Sequence, residues 1–141
     1  MKNAILGVVG VAGSFIVSLF GGWSMALETL MIFMAVDFIS GLIVAGIFHN
    51  SPKTENGALE SNRCWKGLFR KLMTLVFVMV GYRLDVSLGV DYIKNAVIFA
   101  FMAEELISIV ENAGLMGLPV PAAITNAIEI LKNKEKKGEE K

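Results

Sequence analysis

The chain has 141 residues, 55% of them hydrophobic and 18% charged, and its thirteen lysines and arginines balance thirteen acidic residues. This composition excludes a disordered chain, which would be poor in apolar residues, and a nucleic-acid-binding domain, which would carry an excess of basic residues. Cys64 is the only cysteine, so a disulfide-linked scaffold is also excluded. A small all-α integral membrane protein fits these features best, and a very apolar soluble helical bundle is the alternative.

Two long apolar runs open the chain and predict the first two membrane helices. Residues 4–22 contain no charge and would extend about 28 Å as a helix, close to the thickness of the hydrocarbon core of a bilayer. Lys2 precedes this run as in a secretory signal, but no small-residue cleavage site follows it, which favours a retained helix. Residues 27–48 form the second run, and Asp37 is the only charge in its interior.

The rest of the chain is less uniformly apolar. Residues 49–71 are polar and predict a loop, with an amphipathic turn at the membrane surface over residues 64–69. Two further spans are predicted at residues 68–88 and 92–111, and both contain charged residues. After a turn rich in glycine and proline, residues 121–131 have apolar side chains at helical spacing, which predicts a short amphipathic helix.

The charge pattern predicts how this helical membrane domain is oriented. Residues 1–131 form one predicted membrane domain, and residues 132–141 form a charged, disordered tail. With four spans and a cytoplasmic N-terminus, only Arg83 and Lys94 of the basic residues fall near an external turn, as the positive-inside rule favours. We therefore expect both termini on the cytoplasmic side of the membrane.

Polar residues within the predicted spans are candidates for pore-lining or switching roles. A carboxylate at the depth of Asp37 costs about 2.5–3.5 kcal/mol to insert, so it should face protein or water. Asp37 either lines a pore or switches between buried and open states, or it holds helices together as a hydrogen-bonded group. Four polar residues share one face of the fourth span, where they either line an aqueous path between copies or mark a helix end outside the membrane. They are Glu104, Ser108, Glu111 and Asn112.

Small residues recur at four-residue intervals on the first two spans. Such faces let helices approach closely, and membrane helices associate through them. The pattern predicts either self-association into an oligomer or packing within one subunit, and the spacing leaves both interpretations open. The residues are Gly10, Ser14, Ser18 and Gly22 on the first span and Gly41 and Ala45 on the second.

The usual signals of an enzyme are missing from the sequence. His49 and Cys64 are the only histidine and the only cysteine, so the chain lacks a His/Cys metal-binding constellation. No nucleophile accompanies His49, and the glycines of residues 7–13 are not followed by the lysine of a phosphate-binding loop. We therefore expect no catalytic residue, no cofactor, no metal and no nucleic-acid partner.

Three motifs follow one another between residues 23 and 131. Residues 35–45 read AVDFISGLIVA, with an aspartate, an aromatic, an aliphatic, a serine and a glycine in succession. Residues 63–71 read RCWKGLFRK, where a glycine precedes a basic pair, and residues 104–112 read EELISIVEN, with a glycine and two prolines downstream. In this order the motifs resemble the second span, the loop and the C-terminal signature of one phage-lysis holin family. That family also includes holin-like proteins proposed to export clostridial toxins.

The resemblance implies a holin: a small, multi-pass protein of the bacterial inner membrane that accumulates, forms homo-oligomers and then permeabilises the membrane. The lesion would let an endolysin reach the cell wall or let a protein toxin leave the cell, without direct contact between the holin and its cargo. The alternatives are an antiholin-type regulator of a pore former, a small channel or transporter subunit, and a structural membrane scaffold. The transporter is the weaker alternative because the sequence shows no convincing internal repeat.

Overall fold

The computed structural model describes residues 1–52, 57 and 60–139, and every regular element within these residues is an α-helix. The predicted all-α class is therefore confirmed for this part of the chain. Five helices follow one another: α1 (Lys2–Leu19), α2 (Met25–Gly46), α3 (Ser61–Leu88), α4 (Ile93–Leu115) and α5 (Ala122–Glu139).

The first two helices are the most apolar ones. α1 and α2 are long and apolar enough to cross a membrane, and no other helix in the described ranges meets that criterion. No residue of α1 is buried, and its packing contacts with the other described helices are with α3 alone. The helix ends at Leu19, before the predicted end of the first span, because Gly21 and Gly22 adopt left-handed backbone angles. Two clear candidate spans are thus present where the sequence predicted four.

The start of α2 is defined by a side-chain cap. The Ser24 hydroxyl accepts a hydrogen bond from the N–H of Leu27 at 3.2 Å, and Glu28 adds a negative charge in the first turn. Both features favour a helix start, because they satisfy free N–H groups and interact well with the helix dipole. From there α2 continues to Gly46 and carries Asp37 on its buried side.

α4 is the central helix of the bundle, since it packs against α2, α3 and α5. The apolar core lies in the half of the bundle where α2 begins, α3 ends and α4 begins, with Leu30, Val78 and Ile98 fully buried at its centre. The opposite half, where α2 ends, α3 begins and α4 ends, contains the buried polar residues Asp37 and Asn112. We call this half the basic end, after the arginines and lysines at the start of α3.

α3 begins at Ser61, so the prediction of a loop is wrong for residues 61–71. Gly67 is the only strong helix breaker in this stretch, and most of the other residues there are compatible with a helix. With 28 residues, α3 extends about 42 Å, longer than the hydrocarbon core of a bilayer, so its charged first turns can project from it. The predicted loop residues 53–56 and 58–59 lie outside the described residues.

The turn between α3 and α4 is closed by Asp85. Its carboxylate accepts hydrogen bonds from the N–H groups of Ile93 at 2.8 Å and Lys94 at 3.0 Å, at the start of α4. These bonds satisfy N–H groups that have no partner within the helix. Gly81 lets the two helices approach closely, because a Cβ atom at this position would lie 3.1 Å from the Cα atom of Lys94.

α5 differs from the short surface helix predicted for residues 121–131. It continues to Glu139 and packs along α4, so that its last turn lies near the start of α4. The Nζ atom of Lys134 lies 5.2 Å from the centre of the Phe99 ring, a cation–π contact, and Leu131 packs against the apolar core.

The predicted disordered tail is wrong for residues 132–139, which belong to α5. The reason lies in their composition, because lysine and glutamate are good helix formers and the preceding turn of α5 is already anchored on α4. Residues 140–141 of the predicted tail lie outside the described residues. The turn predicted before α5 is confirmed, with Gly117 in a left-handed conformation.

Candidate functional site

A buried cluster of two carboxylates and one lysine lies in the basic end of the bundle. The Nζ atom of Lys71 on α3 lies 2.7 Å from Oδ2 of Asp37 on α2 and 2.7 Å from Oε2 of Glu105 on α4. The three side chains are only 14%, 8% and 12% exposed, respectively. We call them the carboxylate–lysine cluster; they tie three helices together through charge-assisted hydrogen bonds.

The positions of Asp37 and Lys71 in their helices explain why they meet. Asp37 lies nine residues before the end of α2, and Lys71 lies ten residues after the start of α3. At 1.5 Å per residue these separations are about 14 and 15 Å, so two antiparallel helices bring the side chains to the same depth. Asp37 and Lys71 therefore place opposite charges at the same depth. A carboxylate within a membrane helix needs such a partner, because an unpaired charge there is costly.

Asn112 on α4 completes the polar contacts of Asp37. Its side-chain amide donates to the main-chain carbonyl of Asp37 at 3.3 Å, to Oδ1 of the same residue at 3.2 Å and to the Ser40 hydroxyl at 2.8 Å. Gly41 faces this amide, since a Cβ atom at that position would lie in van der Waals contact with the amide nitrogen, at 3.8 Å. The Ser108 hydroxyl also lies beside the Asp37 carboxylate. Asp37 is therefore bonded to both neighbouring helices and is shielded from solvent.

The cluster carries one negative charge that its own lysine does not balance. With all three groups ionised, two carboxylates face one ammonium, and the Asn112 amide supplies the remaining donors to Asp37. Charges in a buried site are costly unless each is paired and hydrogen-bonded. The charges of the cluster are therefore paired only while α2, α3 and α4 keep their present positions. Any movement between these helices would break the ion pairs.

A cavity of about 390 Å³ opens from the cluster towards the basic end. Its walls carry opposite charges: α3 contributes basic residues on one side, and α4 contributes acidic residues on the other. We call this space the charged cleft. Its charged lining residues outside the cluster are Arg63, Lys66 and Arg70 of α3, Glu104 and Glu111 of α4, and Glu60.

The predicted pore or switch residues fall into two groups. Asp37, Ser108 and Asn112 are brought together around the cluster. Glu104 and Glu111 are exposed and line the charged cleft without contacting the cluster lysine. Whether any of them lines a pore or acts as a switch stays a prediction.

Lys71 and Glu105 were not among the predicted site residues. A basic partner for Asp37 could have been sought on the next helix, because an intramembrane carboxylate is usually paired. The prediction of a loop for residues 61–71 did not indicate this partner, because a lysine in a loop has no defined position along the helix that carries Asp37. Glu105 follows Glu104 directly, and helical spacing from Asn112 would have placed it on the same face, since the two are seven residues apart.

The small residues of α1 and those of α2 have different surroundings. On α2, Ala45 is buried and Gly41 faces Asn112, so this pair packs within the subunit. On α1, Gly10, Ser14 and Ser18 are exposed and lie on one face of the helix.

The predicted role of Gly22 on the first helix face is wrong, since α1 ends at Leu19 and Gly22 belongs to the following turn. A Cβ atom at Gly10 would meet no other part of the described chain within 4 Å. The face of α1 thus stays available for contact with lipid or with another chain.

Comparison with known proteins identifies the family. The sequence profile of the bacteriophage holin family matches residues 14–133. The chain belongs to this holin family. The resemblance seen in the three sequence motifs is therefore confirmed.

Relatives in the holin family extend over nearly the whole chain. An uncharacterized protein of Listeria monocytogenes is 35% identical over all of this chain and 93% of its own length. An uncharacterized protein of Halalkalibacterium halodurans is 37% identical over 92% of this chain and 93% of its own. A probable holin of Bacillus phage phi105 is 26% identical over 82% of this chain and 80% of its own. No solved structure matches the chain.

Membership of the holin family and the two apolar helices indicate a membrane protein. The holin family is in general not enzymatic. Among the residues that the structure describes, no group of three or more histidine, cysteine, aspartate or glutamate side chains is placed to hold a metal ion.

Proposed function

We propose that the protein is a holin that forms homo-oligomers in the bacterial inner membrane and opens a lesion there. The observation that carries this proposal is the combination of a buried carboxylate–lysine cluster with an apolar helix, α1, that has no buried residue and is exposed over most of its length. The cluster keeps charges inside the subunit, while α1 offers an apolar surface to lipid or to other copies. Family membership supports the same function.

The mechanism that we propose starts from the closed subunit described above. Each subunit would remain closed while Lys71 balances Asp37 and Glu105. Accumulation would favour contacts between copies through α1, and the helices would then shift so that the cluster separates and its charges face water. Water in the lesion would solvate these exposed charges, whereas exposing the same charges to lipid would be energetically costly.

Release of a cytoplasmic enzyme after induced expression of the protein alone tests this proposal. We expect no release at first and then a sudden release, because opening requires accumulation. A protein that produces no release at any expression level would instead fit the antiholin-type regulator or the scaffold. The cargo, an endolysin or a secreted toxin, would pass through the lesion without contacting the holin directly.

Glu105→Gln tests whether the cluster controls the timing. The variant leaves a neutral Asp37–Lys71 pair, so we expect the closed subunit to be stabilised and release to begin later. Glu129→Gln on α5 is the control, because Glu129 is exposed and lies outside the cleft. Equal onset times for Glu105→Gln and the unmodified protein at equal expression would remove the cluster from the mechanism.

We also propose that residues 1–131 form one membrane domain with four crossings and that both termini are cytoplasmic. α3 and α4 would cross as a hairpin in which the neighbouring helices cover Lys71 and Glu105, while the exposed charged residues of the charged cleft would face water. The docked position of α5 conflicts with a cytoplasmic C-terminus, because its last turn lies near the start of α4. We propose that α5 leaves α4 on insertion and lies on the cytoplasmic surface, since its lysines would otherwise have to cross the membrane.

Thiol labelling distinguishes these arrangements. Cys64 lies in the first turn of α3, and a Cys64→Ser, Lys137→Cys variant moves the only thiol to an exposed position in the last turn of α5. With both termini cytoplasmic, a membrane-impermeant maleimide should label neither thiol in intact cells and both after permeabilisation. Labelling of Lys137→Cys alone in intact cells would show that α5 stays docked and that the C-terminus is external. Labelling of Cys64 would overturn the proposed orientation as a whole.

A further inference from the structure

The charged cleft contains opposite charges that do not neutralise one another. Lys66 and Arg70 on the α3 wall and Glu104 and Glu111 on the α4 wall make no ion pair within the part of the chain that the structure describes. Between residues that the structure describes, the ion pairs at the cleft are those of the cluster at its floor and a pair at its rim, where Nε of Arg63 and Oε2 of Glu60 are 3.9 Å apart. Two walls of opposite charge therefore face the same cavity without closing across it.

This layout calls for an occupant that carries both charges. A purely anionic group would be attracted to the basic residues of α3 but repelled by the acidic residues of α4. A cation would be attracted to α4 and repelled by α3. A group with a phosphate at one end and a protonated amine at the other can pair with both walls at once. Arginine binds phosphate through several directed hydrogen bonds, and a primary ammonium can donate hydrogen bonds to carboxylates.

The position of the cleft indicates a lipid as the source of this group. From Arg63 to Arg70 the basic wall covers about 10 Å along α3, beginning at the third residue of the helix. In the four-crossing arrangement proposed above, the start of α3 lies at the cytoplasmic surface of the membrane, so this wall would begin at the level of the lipid headgroups. Leu68 and Leu72 continue around α3 from the cleft and are 37% and 49% exposed, so an apolar surface for an acyl chain lies next to the basic wall.

We propose that the charged cleft binds the aminophosphate headgroup of phosphatidylethanolamine, with the phosphate at Arg70 and Lys66 and the ammonium at Glu104 and Glu111. The bound headgroup bridges α3 and α4 and thereby holds these helices apart at the distance seen in the structure. This assignment depends on membrane insertion but not on lesion formation, so a subunit that binds the lipid and never opens a membrane would disprove only the proposed function.

Cys64 provides the measurement, because it is partly buried and lines the charged cleft. The purified protein in detergent is titrated with dioleoylphosphatidylethanolamine, and the rate of Cys64 alkylation by N-ethylmaleimide is followed. We expect the lipid to slow alkylation. Arg70→Gln and Glu111→Gln should each weaken this protection by about tenfold in lipid concentration, since each removes one charge-assisted hydrogen-bonding partner. Lys132→Gln, which lies on α5 outside the cleft, should leave the protection unchanged.

Three other probes make the test specific. Dioleoylphosphatidylglycerol lacks the ammonium, dioleoylphosphatidylcholine has an ammonium without N–H donors, and soluble phosphoethanolamine lacks the acyl chains. Each should protect Cys64 much less than phosphatidylethanolamine does. Equal protection by phosphatidylglycerol would exclude a role for the acidic wall, and equal protection by phosphatidylcholine would exclude hydrogen bonding to it. Equal protection by phosphoethanolamine would exclude a lipid as the source. The absence of protection by any probe would show a cleft that contains only water, and each of these results would overturn the assignment.

Discussion

Lys71 is the residue on which the buried charges of the bundle depend. It is the only basic group within ion-pair distance of Asp37 and Glu105 in the described residues. Removing one partner of a buried pair leaves an uncompensated charge, which is far more costly than replacing the whole set by apolar residues. Because the two carboxylates would then also repel each other, the loss of Lys71 should be more harmful than the loss of either acid.

Lys71→Met should therefore lower the free energy of unfolding by about 3–5 kcal/mol, the range for breaking a buried ion pair. The variant keeps the length and apolar stem of the side chain but loses the ammonium. The measurement is the thermal unfolding midpoint of the protein in detergent, compared with Lys132→Met at an exposed position of α5 as the control. In cells the same variant should bring the onset of release forward.

The triple variant Asp37→Asn, Lys71→Met, Glu105→Gln separates charge from packing. With no ionised group left in the cluster, most of the lost stability should return, because the uncompensated charges are gone. If the triple variant is as unstable as Lys71→Met, the effect comes from the shape of the methionine and the ionic account of the cluster fails.

At the residue scale, sequence reasoning could find the acid but not its partners. Asp37 was identifiable because a carboxylate inside an apolar run is costly and needs a reason. Asn112 and Ser108 were identifiable from helical spacing on one face. Lys71 was missed since it stands at the border between a polar stretch and an apolar run, where composition alone does not decide whether the chain is helical. Its role follows only from the register between α2 and α3.

At the element scale, the start of α4 depends on a residue of the preceding helix. Asp85 is buried, and its carboxylate accepts two N–H groups at the first turn of α4. It therefore acts as a cap supplied by α3, and it fixes the angle at which the chain re-enters the bundle. The capping of α4 explains why the charged Asp85 interrupts an apolar run, and the hydrophobicity pattern of the sequence does not predict this role.

Asp85→Ala should destabilise the bundle by about 1–2 kcal/mol, the usual cost of removing a helix cap. Asp91→Ala is the matched control, because Asp91 belongs to the same turn and is exposed. Amide hydrogen exchange of residues 92–96 gives the local measurement, and we expect faster exchange only in Asp85→Ala. Equal exchange in both variants would mean that the two hydrogen bonds contribute nothing to the start of α4.

The helix boundaries show where sequence patterns lose precision. The apolar runs placed α2 and α4 within a few residues, since their ends coincide with changes in polarity. They failed for α3 and α5, whose polar turns are helical. In both cases charged residues with good helix propensity extend a helix that apolar residues anchor elsewhere, and hydrophobicity carries no signal for that extension.

At the scale of the whole molecule, the subunit buries the carboxylate–lysine cluster but leaves most of its first helix exposed. α1 packs weakly against α3, and all of its apolar side chains except Val17 and Leu19 are exposed. The sequence left open whether the small residues of α1 and α2 pack within or between subunits. On α2 they are used within the subunit, so those of α1 are the remaining candidates for contacts between copies.

Gly10→Ile tests this division of roles. The substitution places a bulky, branched side chain on the small-residue face of α1, where close helix approach between copies would take place. Since Gly10 contacts no other described part of the subunit, the unfolding midpoint in detergent should change little. Chemical cross-linking in membranes should yield fewer oligomers, and release of a cytoplasmic enzyme should begin later or not occur.

The control is Val11→Ile, an exposed position of α1 adjacent in sequence but on a different face of the helix. Unchanged cross-linking in Gly10→Ile would show that the copies associate through another surface, and equal loss in both variants would mean that α1 has no preferred face for association.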